Sequence, residues 1–331
     1  DVSTFKNRLQ FTADFYIKNT TDMLIIYDIP ATSGYKEAYI NAGKLQNKGM
    51  EFSVGGKILD NRLKWFVNAN ISFNRDKVIK LYNDQPLILD LGDNQTLWIR
   101  EGQPIRQFSS YSVLGVFKDT EEINNYIWVN DKNGQTNLIQ PTAQPGDLKY
   151  EDINNDGIIN KMDNVIYGSA FPNFTYGLNN QFRFANFIFD IFLTGSQGNW
   201  VLNRTLSYLQ YTNNIRNNLS KTLVNRWTPS NTETNIPRLG SNGQLPSFED
   251  ASYIRIQNIK LTYNLPKKKL TKFTSVSIFA TVDNLYVWTK YSGWDPDVNT
   301  FVGGQENVNV GLDQNSFPRP RTSSIGLNIK F

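Results

Sequence analysis

Apolar and polar residues alternate with a period of two along most of the chain, which is typical of β-strands with one apolar face and one polar face. Segments 9–17, 50–58, 63–73, 176–184, 187–193, 259–265, 276–282 and 325–331 all carry this pattern. These runs are roughly 9–11 residues long, the length that a tilted strand needs to cross a bilayer. Strands in globular proteins average about five or six residues. The pattern therefore predicts an all-β protein, a transmembrane antiparallel β-barrel, with roughly ten strands in this chain.

The connectors between these segments alternate between short and long. Segments 60–62 and 185–186 are tight turns, and the long polar connectors are 82–101, 118–173, 196–250 and 291–321. Short turns on one side and long loops on the other are typical of outer-membrane barrels. Within one long connector, leucines at near-helical spacing in 199–227 predict one or two short helices.

Composition narrows the possible classes of function. The chain has 331 residues and contains neither cysteine nor histidine, so thiol nucleophiles, Cys/His zinc sites and a Ser-His-Asp triad are excluded. No run of eighteen apolar residues occurs, which excludes a helical membrane span. The net charge of +4 is dispersed, and no basic cluster indicates nucleic acid. The start shows no signal peptide and enters a strand pattern directly, so we expect an internal piece of a longer precursor.

Residues 152–163 have the spacing of a calcium loop. Asp152, Asn154 and Asp156 place oxygen ligands at loop positions 1, 3 and 5, and a glycine follows at position 6, where the loop must turn sharply. Ile158 at position 7 offers its backbone carbonyl, and Asp163 fills position 12 in place of the usual glutamate. We therefore expect Ca²⁺ at Asp152, Asn154, Asp156, Ile158 and Asp163. The alternative is an Asx-rich turn without a metal.

Several segments resemble, in the same order along nearly the whole chain, those of SusC/RagA-family TonB-linked outer-membrane proteins. They are N-A-G-K-L-Q-N-K-G-M-E at 41–51, R-E-G-Q-P at 100–104, the block 145–172 around the calcium-type loop, R-W-T-P at 226–229, I-P-R at 236–238, A-S-Y-I-R at 251–255, D-N-L at 283–285, Y-S-G-W-D-P at 291–296, P-R-P-R at 318–321 and the terminal strand ending at Phe331.

The resemblance implies that residues 1–331 are the C-terminal portion of a barrel of about 22 strands, located in the outer membrane of a Gram-negative bacterium. Residues 145–172 are then an extracellular calcium-type loop. The plug domain and the TonB box are expected in a missing N-terminal part, through which the TonB complex acts. The resemblance also implies a SusD-like surface lipoprotein as partner, and an oligosaccharide or peptide as the imported substrate.

Two other functions remain open at this point. The first is a secreted, calcium-stabilised β-sandwich that binds glycans, since sandwich strands also alternate. The second is a barrel enzyme with paired carboxylates such as Glu121 with Glu122, or Asp295 with Asp297, although no feature orders either pair for acid–base work. We expect no enzyme. A transporter would line its passage with the polar strand residues Gln10, Asp14, Glu51, Lys64, Asn68, Asn70 and Asp190. Loop tryptophans that could stack on sugar rings are Trp98, Trp128, Trp200 and Trp294, for which loop packing is the more ordinary interpretation.

Overall fold

The structure is a computed structural model that describes residues 1–5, 8–28, 31–35, 37–92, 94–130, 134–213, 218–241, 243–266, 274–298 and 310–330. Nearly all of its regular structure is β. The strands are β1 (Val2–Thr4), β2 (Leu9–Asp28), β3 (Glu37–Asp60), β4 (Leu63–Lys80), β5 (Leu87–Gly92), β6 (Gln95–Ile99), β7 (Gln107–Tyr111), β8 (Val113–Val116), β9 (Ile127–Val129), β10 (Thr136–Leu138), β11 (Leu148–Tyr150), β12 (Asn164–Ser169), β13 (Phe174–Phe184), β14 (Phe187–Gln197), β15 (Trp200–Asn203), β16 (Phe248–Asp250), β17 (Tyr253–Asn264), β18 (Ser275–Thr289), β19 (Leu312–Asp313) and β20 (Thr322–Lys330). The α-helices are α1 (Thr120–Asn125) and α2 (Arg204–Gln210).

One large antiparallel sheet contains the long strands. Its order is β1-β2-β3-β4-β13-β14-β17-β18-β20, so strands that follow one another in this sheet along the chain are always neighbours. Every pairing in it is antiparallel. The expected all-β antiparallel architecture is confirmed, with nine strands in this sheet of the described residues instead of about ten.

The two faces of this sheet differ in polarity as the alternation predicts. Opposed residues such as Asp14 and Glu51 belong to one face, and opposed residues such as Leu178 and Leu193 belong to the other. The register places every member of the expected polar set on the first face: Gln10, Asp14, Glu51, Lys64, Asn68, Asn70 and Asp190. The opposite face is largely apolar, and many of its side chains are exposed, including Phe15, Ile17, Leu261 and Ile325.

Asn180 is a polar residue on the apolar face, and its side chain is hydrogen-bonded there. Asn180 lies between Leu178 and Phe182 along β13, and its Oδ1 accepts a hydrogen bond of 3.0 Å from Trp65 Nε1 on β4. The Trp65 ring stacks on Phe182 with centroids 5.6 Å apart. A buried polar group costs free energy unless it is paired, so this hydrogen bond lets an amide stand on an apolar surface.

Three strands are longer than the sequence pattern indicates. β2 has 20 residues, β3 has 24 and β4 has 18, about twice the length that crosses a bilayer. The alternation in β2 is broken by register shifts between Thr20 and Met23 and between Met23 and Leu24. Residues 18–22 are all polar, so the period-two pattern fades at residue 17 although the strand continues. Each later shift then moves the following side chains to the other face.

The long connectors all leave the same end of the sheet and fold into small sheets of their own. The segment from residue 81 to 173 is a single connector between β4 and β13, which corrects the expectation of two loops with a sheet strand between them. It contains the sheet β12-β7-β6-β5 and the pairs β8–β11 and β9–β10. β7 pairs with β6 and β12, and four of its five residues are buried on both faces, so it joins the connector's own core.

The three long connectors share one hydrophobic core. Leu97, Phe108 and Ala170 come from the first, Leu202 and Phe248 from the second, and Leu312 from the third. The rings of Phe108 and Phe248 stack with centroids 5.1 Å apart. The strands β16-β15-β19 also join the second connector to the third. The connectors therefore form a packed layer at one end of the large sheet.

The second connector holds the expected short helices. α2 and the 3₁₀ helix Lys221–Asn225 both lie within 199–227, as the leucine spacing predicts. No helix in the described residues has the length and apolarity needed to cross a membrane. Phe331, the terminal aromatic residue, lies outside the described residues.

Because the two faces of the sheet differ in polarity, a charge introduced at the same depth should affect stability differently on each face. We expect Ile191→Lys to destabilise the membrane-inserted full-length protein by roughly 2–4 kcal/mol, because Ile191 belongs to the apolar face. Phe192→Lys places the same charge one residue away on the polar face and serves as the control. Denaturant unfolding in lipid vesicles measures both. Equal stability of the two variants would show that the face assignment is wrong.

Candidate metal centre

The candidate calcium loop lies in the first long connector, between β11 and β12. Its first half is a chain of side-chain to backbone hydrogen bonds. The Asp156 N–H donates to Asp152 Oδ1 at 3.2 Å and to Asn154 Oδ1 at 3.0 Å. The Gly157 N–H donates to Asp152 Oδ2 at 2.7 Å, and the Ile158 N–H donates to Asp156 Oδ1 at 2.9 Å. These bonds hold Asp152, Asn154 and Asp156 next to one another.

Two residues of the loop have left-handed backbone conformations, which produce the sharp turn. Asn155 has φ of 56° and Gly157 has φ of 83°. Asparagine and glycine adopt this region at the least cost. A Cβ on Gly157 would lie 2.8 Å from Cδ2 of Trp128. The glycine at position 6 is thus required both by the backbone and by a neighbouring ring.

Asp163 closes the loop from its other end. Its side chain is fully buried, and Oδ1 accepts from the N–H groups of Ile153 at 3.0 Å and Asn154 at 3.4 Å. Oδ2 accepts from the Asn160 N–H at 2.8 Å, and Asn160 in turn caps the 3₁₀ helix Lys161–Asp163 through the Met162 N–H. Burial raises the pKa of the nearby Tyr111 hydroxyl, and the charge of Asp163 adds to this rise.

The remaining predicted ligand is the carbonyl of Ile158, which accepts from Asn160 Nδ2 at 3.3 Å. All the donors are oxygens, as a hard cation prefers, and a carboxylate oxygen that accepts one N–H retains a second lone pair. Within the described residues, however, no three Asp or Glu carboxylates meet at distances suited to one ion. The donor chemistry therefore fits Ca²⁺, while a shared coordination sphere stays a prediction.

Trp128 contacts this loop, which sequence reasoning did not foresee. Its Nε1 donates to the Asn155 carbonyl at 2.8 Å, and its ring covers Gly157. Trp128 belongs to β9 of the β9–β10 hairpin, so the hairpin is a lid on the loop. The contact joins positions far apart in the sequence, and the only local signal of it is the glycine that leaves room for the ring.

Of the four loop tryptophans, three are used in packing. Trp98 is 6% exposed, Trp128 covers the loop, and the Trp200 ring lies where a Cβ on Gly168 would be, with Cδ1 at 2.2 Å. Trp294 differs, since 73% of it is exposed. Neither Glu121 with Glu122 nor Asp295 with Asp297 is arranged as an acid–base pair: Glu122 bonds to Lys149 at 2.9 Å, and Asp295 bonds to Arg255 at 2.6 Å.

A two-faced antiparallel sheet with one side of short turns and one side of folded connectors defines the wall of an outer-membrane barrel. Comparison with known proteins agrees. No protein-family profile matches the chain. The chain is 33% identical over 344 residues to TonB-dependent receptor P3 of Formosa agariphila, and 28% identical over 343 residues to TonB-dependent receptor SusC of Bacteroides thetaiotaomicron. Both alignments cover 100% of the chain, and they cover 33% and 31% of those receptors.

Solved structures give the same fold. The RagAB peptide transporter matches with a TM-score of 0.78 at 24% identity, covering 99% of this chain and 34% of that one. The RagAB peptide importer in its open-open state matches with a TM-score of 0.72 at 25% identity, covering 99% of this chain and 33% of that one. Over its whole length the chain matches TonB-dependent receptors of the SusC/RagA type, and it spans about one third of their length. The matched relatives are named TonB-dependent receptors, and the matched solved structures are those of a peptide transporter.

The contact between Trp128 and Gly157 can be tested by one substitution. We expect Gly157→Ala to destabilise the loop by about 1–2 kcal/mol through backbone strain, and further through the clash with Trp128. Gly102→Ala is the matched control, because Gly102 has φ of 78° and no atom within 4 Å of an added Cβ. Hydrogen exchange of residues 151–163 in the full-length receptor measures the effect. The loss of hydrogen-exchange protection around each substituted glycine is then compared. Equal losses in the two variants would show that the contact with Trp128 does not contribute.

Proposed function

We propose that the complete protein imports a nutrient, an oligosaccharide or a peptide, across the outer membrane by TonB-dependent transport. The observation that carries this proposal is the largely polar face of the nine-stranded sheet, opposite a largely apolar face. In a closed barrel the polar face lines the lumen and the apolar face meets lipid. The relatives that match over the whole chain are named TonB-dependent receptors, which supports the same activity.

Closure of the barrel needs further strands. Among the described residues, β20 has a partner only in β18, and most of β2 has a partner only in β3. Open edges with unpaired backbone groups are not tolerated in lipid. The missing strands would come from the N-terminal barrel and plug segment of the same protein, which would also carry the contact to the TonB complex. A SusD-like surface lipoprotein would cover the side of the folded connectors, and the RagAB transporter supports such a two-component arrangement.

Uptake in a defined genetic background tests the proposal. Strains of the source bacterium with and without the gene, and with and without TonB, would be grown on single oligosaccharides and peptides as sole nutrient. We expect loss of either gene to abolish growth on the same substrate, because import needs both the barrel and its energy source. Reintroduction of the full-length gene is the control. Growth that depends on the receptor but not on TonB would contradict the proposed transport.

We also propose that the loop binds Ca²⁺ through Asp152, Asn154, Asp156, the Ile158 carbonyl and Asp163. Support comes from the twelve-residue spacing, the left-handed Gly157 and the linked oxygens of Asp152, Asn154 and Asp156. Coordination would turn these oxygens inward and neutralise the carboxylates that otherwise repel one another. The connectors would face outward, where a site of modest affinity suffices.

Calcium titration of the full-length receptor tests this metal site. We expect Ca²⁺ to change the tryptophan fluorescence, since Trp128 covers the loop, and Asp156→Ala to weaken binding at least tenfold by removing a charged ligand. Glu121→Ala, which removes an exposed carboxylate outside the loop, is the control. A wild-type receptor without a calcium-dependent signal, or ligand distances of about 2.0–2.1 Å as Mg²⁺ prefers, would count against Ca²⁺.

A further inference from the structure

Trp294 is an exposed aromatic side chain between two cavities. It lies in the third connector, after β18, and lines one cavity of about 260 Å³ and another of about 280 Å³. The first cavity also contains Asn203, Ser292 and Asp313, and the second contains Arg319 and Arg321. An exposed indole that borders a concave surface on both sides has the placement of a ligand platform.

Two buried polar contacts hold the segment that carries Trp294. On one side the Tyr291 hydroxyl donates to Asp313 Oδ2 at 2.5 Å, and burial together with this bond raises the pKa of Tyr291. On the other side Arg255 donates to both oxygens of Asp295, at 2.6 and 3.0 Å, and both side chains are buried. The backbone that carries the exposed ring is therefore held on both sides before a ligand arrives, which lowers the entropy cost of binding.

The second cavity has an excess of positive charge. Arg255 is neutralised by Asp295, and Arg319 pairs with Asp297 at 2.7 Å. Arg321 is exposed, and no carboxylate of the described residues forms an ion pair with it. A guanidinium presents its donors in a planar fork that matches a carboxylate or a sulfate.

The first cavity has the opposite character. Asp313 lies in its wall, and Asn203 Nδ2 donates to Glu249 at 2.8 Å and to the Ser292 hydroxyl at 3.3 Å. Ser292 also donates to Glu249 at 2.8 Å. Leu206 and Leu209 also line this cavity, which has no cationic side chain. It suits a neutral sugar ring, which has hydroxyl groups and an apolar C–H face, and it disfavours a second anion, because the carboxylates of Asp313 and Glu249 would repel it.

We propose that Trp294, Arg319 and Arg321 form a binding site for an acidic oligosaccharide. The indole would stack on the C–H face of one sugar ring, Arg321 and Arg319 would bind its carboxylate or sulfate, and the neighbouring neutral ring would enter the cavity of Asn203, Ser292 and Asp313. This inference rests on the proposed transport function and specifies its substrate class. An acidic peptide fits less well, since a run of carboxylates would meet Asp313.

An array of neutral, uronic-acid and sulfated oligosaccharides and acidic peptides tests the site, with the full-length receptor in complex with its lipoprotein as the probe. We expect binding to uronic-acid or sulfated sugars, and these two groups on the array distinguish the source of the anion. Arg321→Gln should weaken that binding about 10- to 100-fold, the range for a lost charge-assisted hydrogen bond. Trp294→Ala should weaken it about tenfold, and Trp294→Tyr should retain most of it.

Phe317→Ala is the control, because Phe317 is an exposed aromatic of the same connector that lines neither cavity. Absence of binding to any acidic sugar, preference for neutral sugars or peptides, or equal losses in Arg321→Gln and Phe317→Ala would overturn the proposal. These outcomes are separate from failure of the transport function. If TonB-dependent growth is observed while acidic sugars do not bind, the site assignment fails and the transport function stands.

Discussion

The structure depends on one constraint: in a membrane, every backbone N–H and C=O must find its partner within the protein. In the nine-stranded antiparallel sheet, neighbouring strands satisfy each other's backbone groups by hydrogen bonds. Strands that are consecutive in this sheet along the chain are also neighbours in space. The same arrangement makes side chains alternate between two faces. An apolar face toward lipid and a polar face toward the lumen are therefore consequences of a single pattern of backbone pairing. Asn180 is tolerated on the apolar face only because Trp65 completes its hydrogen bonding.

The connectors are held together by a different force. Away from lipid, they bury Leu97, Phe108, Leu202 and Leu312 in a core of ordinary globular character. A buried ion pair lies at the border of the connectors with the sheet, where Arg255 on β17 meets Asp295 of the third connector. Removing one partner of such a pair would leave an uncompensated charge, which is costly. The wall of the barrel and the folded connectors thus meet at a fixed polar contact.

Much of the fold could be predicted from the sequence, because alternation is a local signal. Residues 63–73 and 187–193 reveal their faces without any knowledge of neighbours, and the structure confirms both. Prediction failed where the signal was broken or absent. The polar residues 18–22 and the register shifts near Met23 conceal the second half of β2. Gln107, Phe108, Ser109 and Ser110 are buried on both faces, so β7 carries no amphipathic pattern that assigns it to the connector core.

The candidate site divides in the same way. The loop at 152–163 is contiguous in sequence, so its spacing alone identifies the oxygens that the structure links. The Trp128 lid joins residues from different strands, and no local pattern reports it. Likewise, four loop tryptophans look alike in the sequence, and only packing separates the buried Trp98 from the exposed Trp294. Tertiary contacts decide these questions, whereas propensity and spacing do not.

The shared core of the three connectors also limits how this protein can be changed. Loops on a rigid scaffold are usually exchangeable one at a time, because each packs against the scaffold alone. Here Phe108 of the first connector stacks on Phe248 of the second, and β19 of the third pairs with β15 of the second. A connector transplanted from a relative would lose its packing partners unless the other two moved with it. For recombination, in nature or in the laboratory, the three connectors are a single inherited unit.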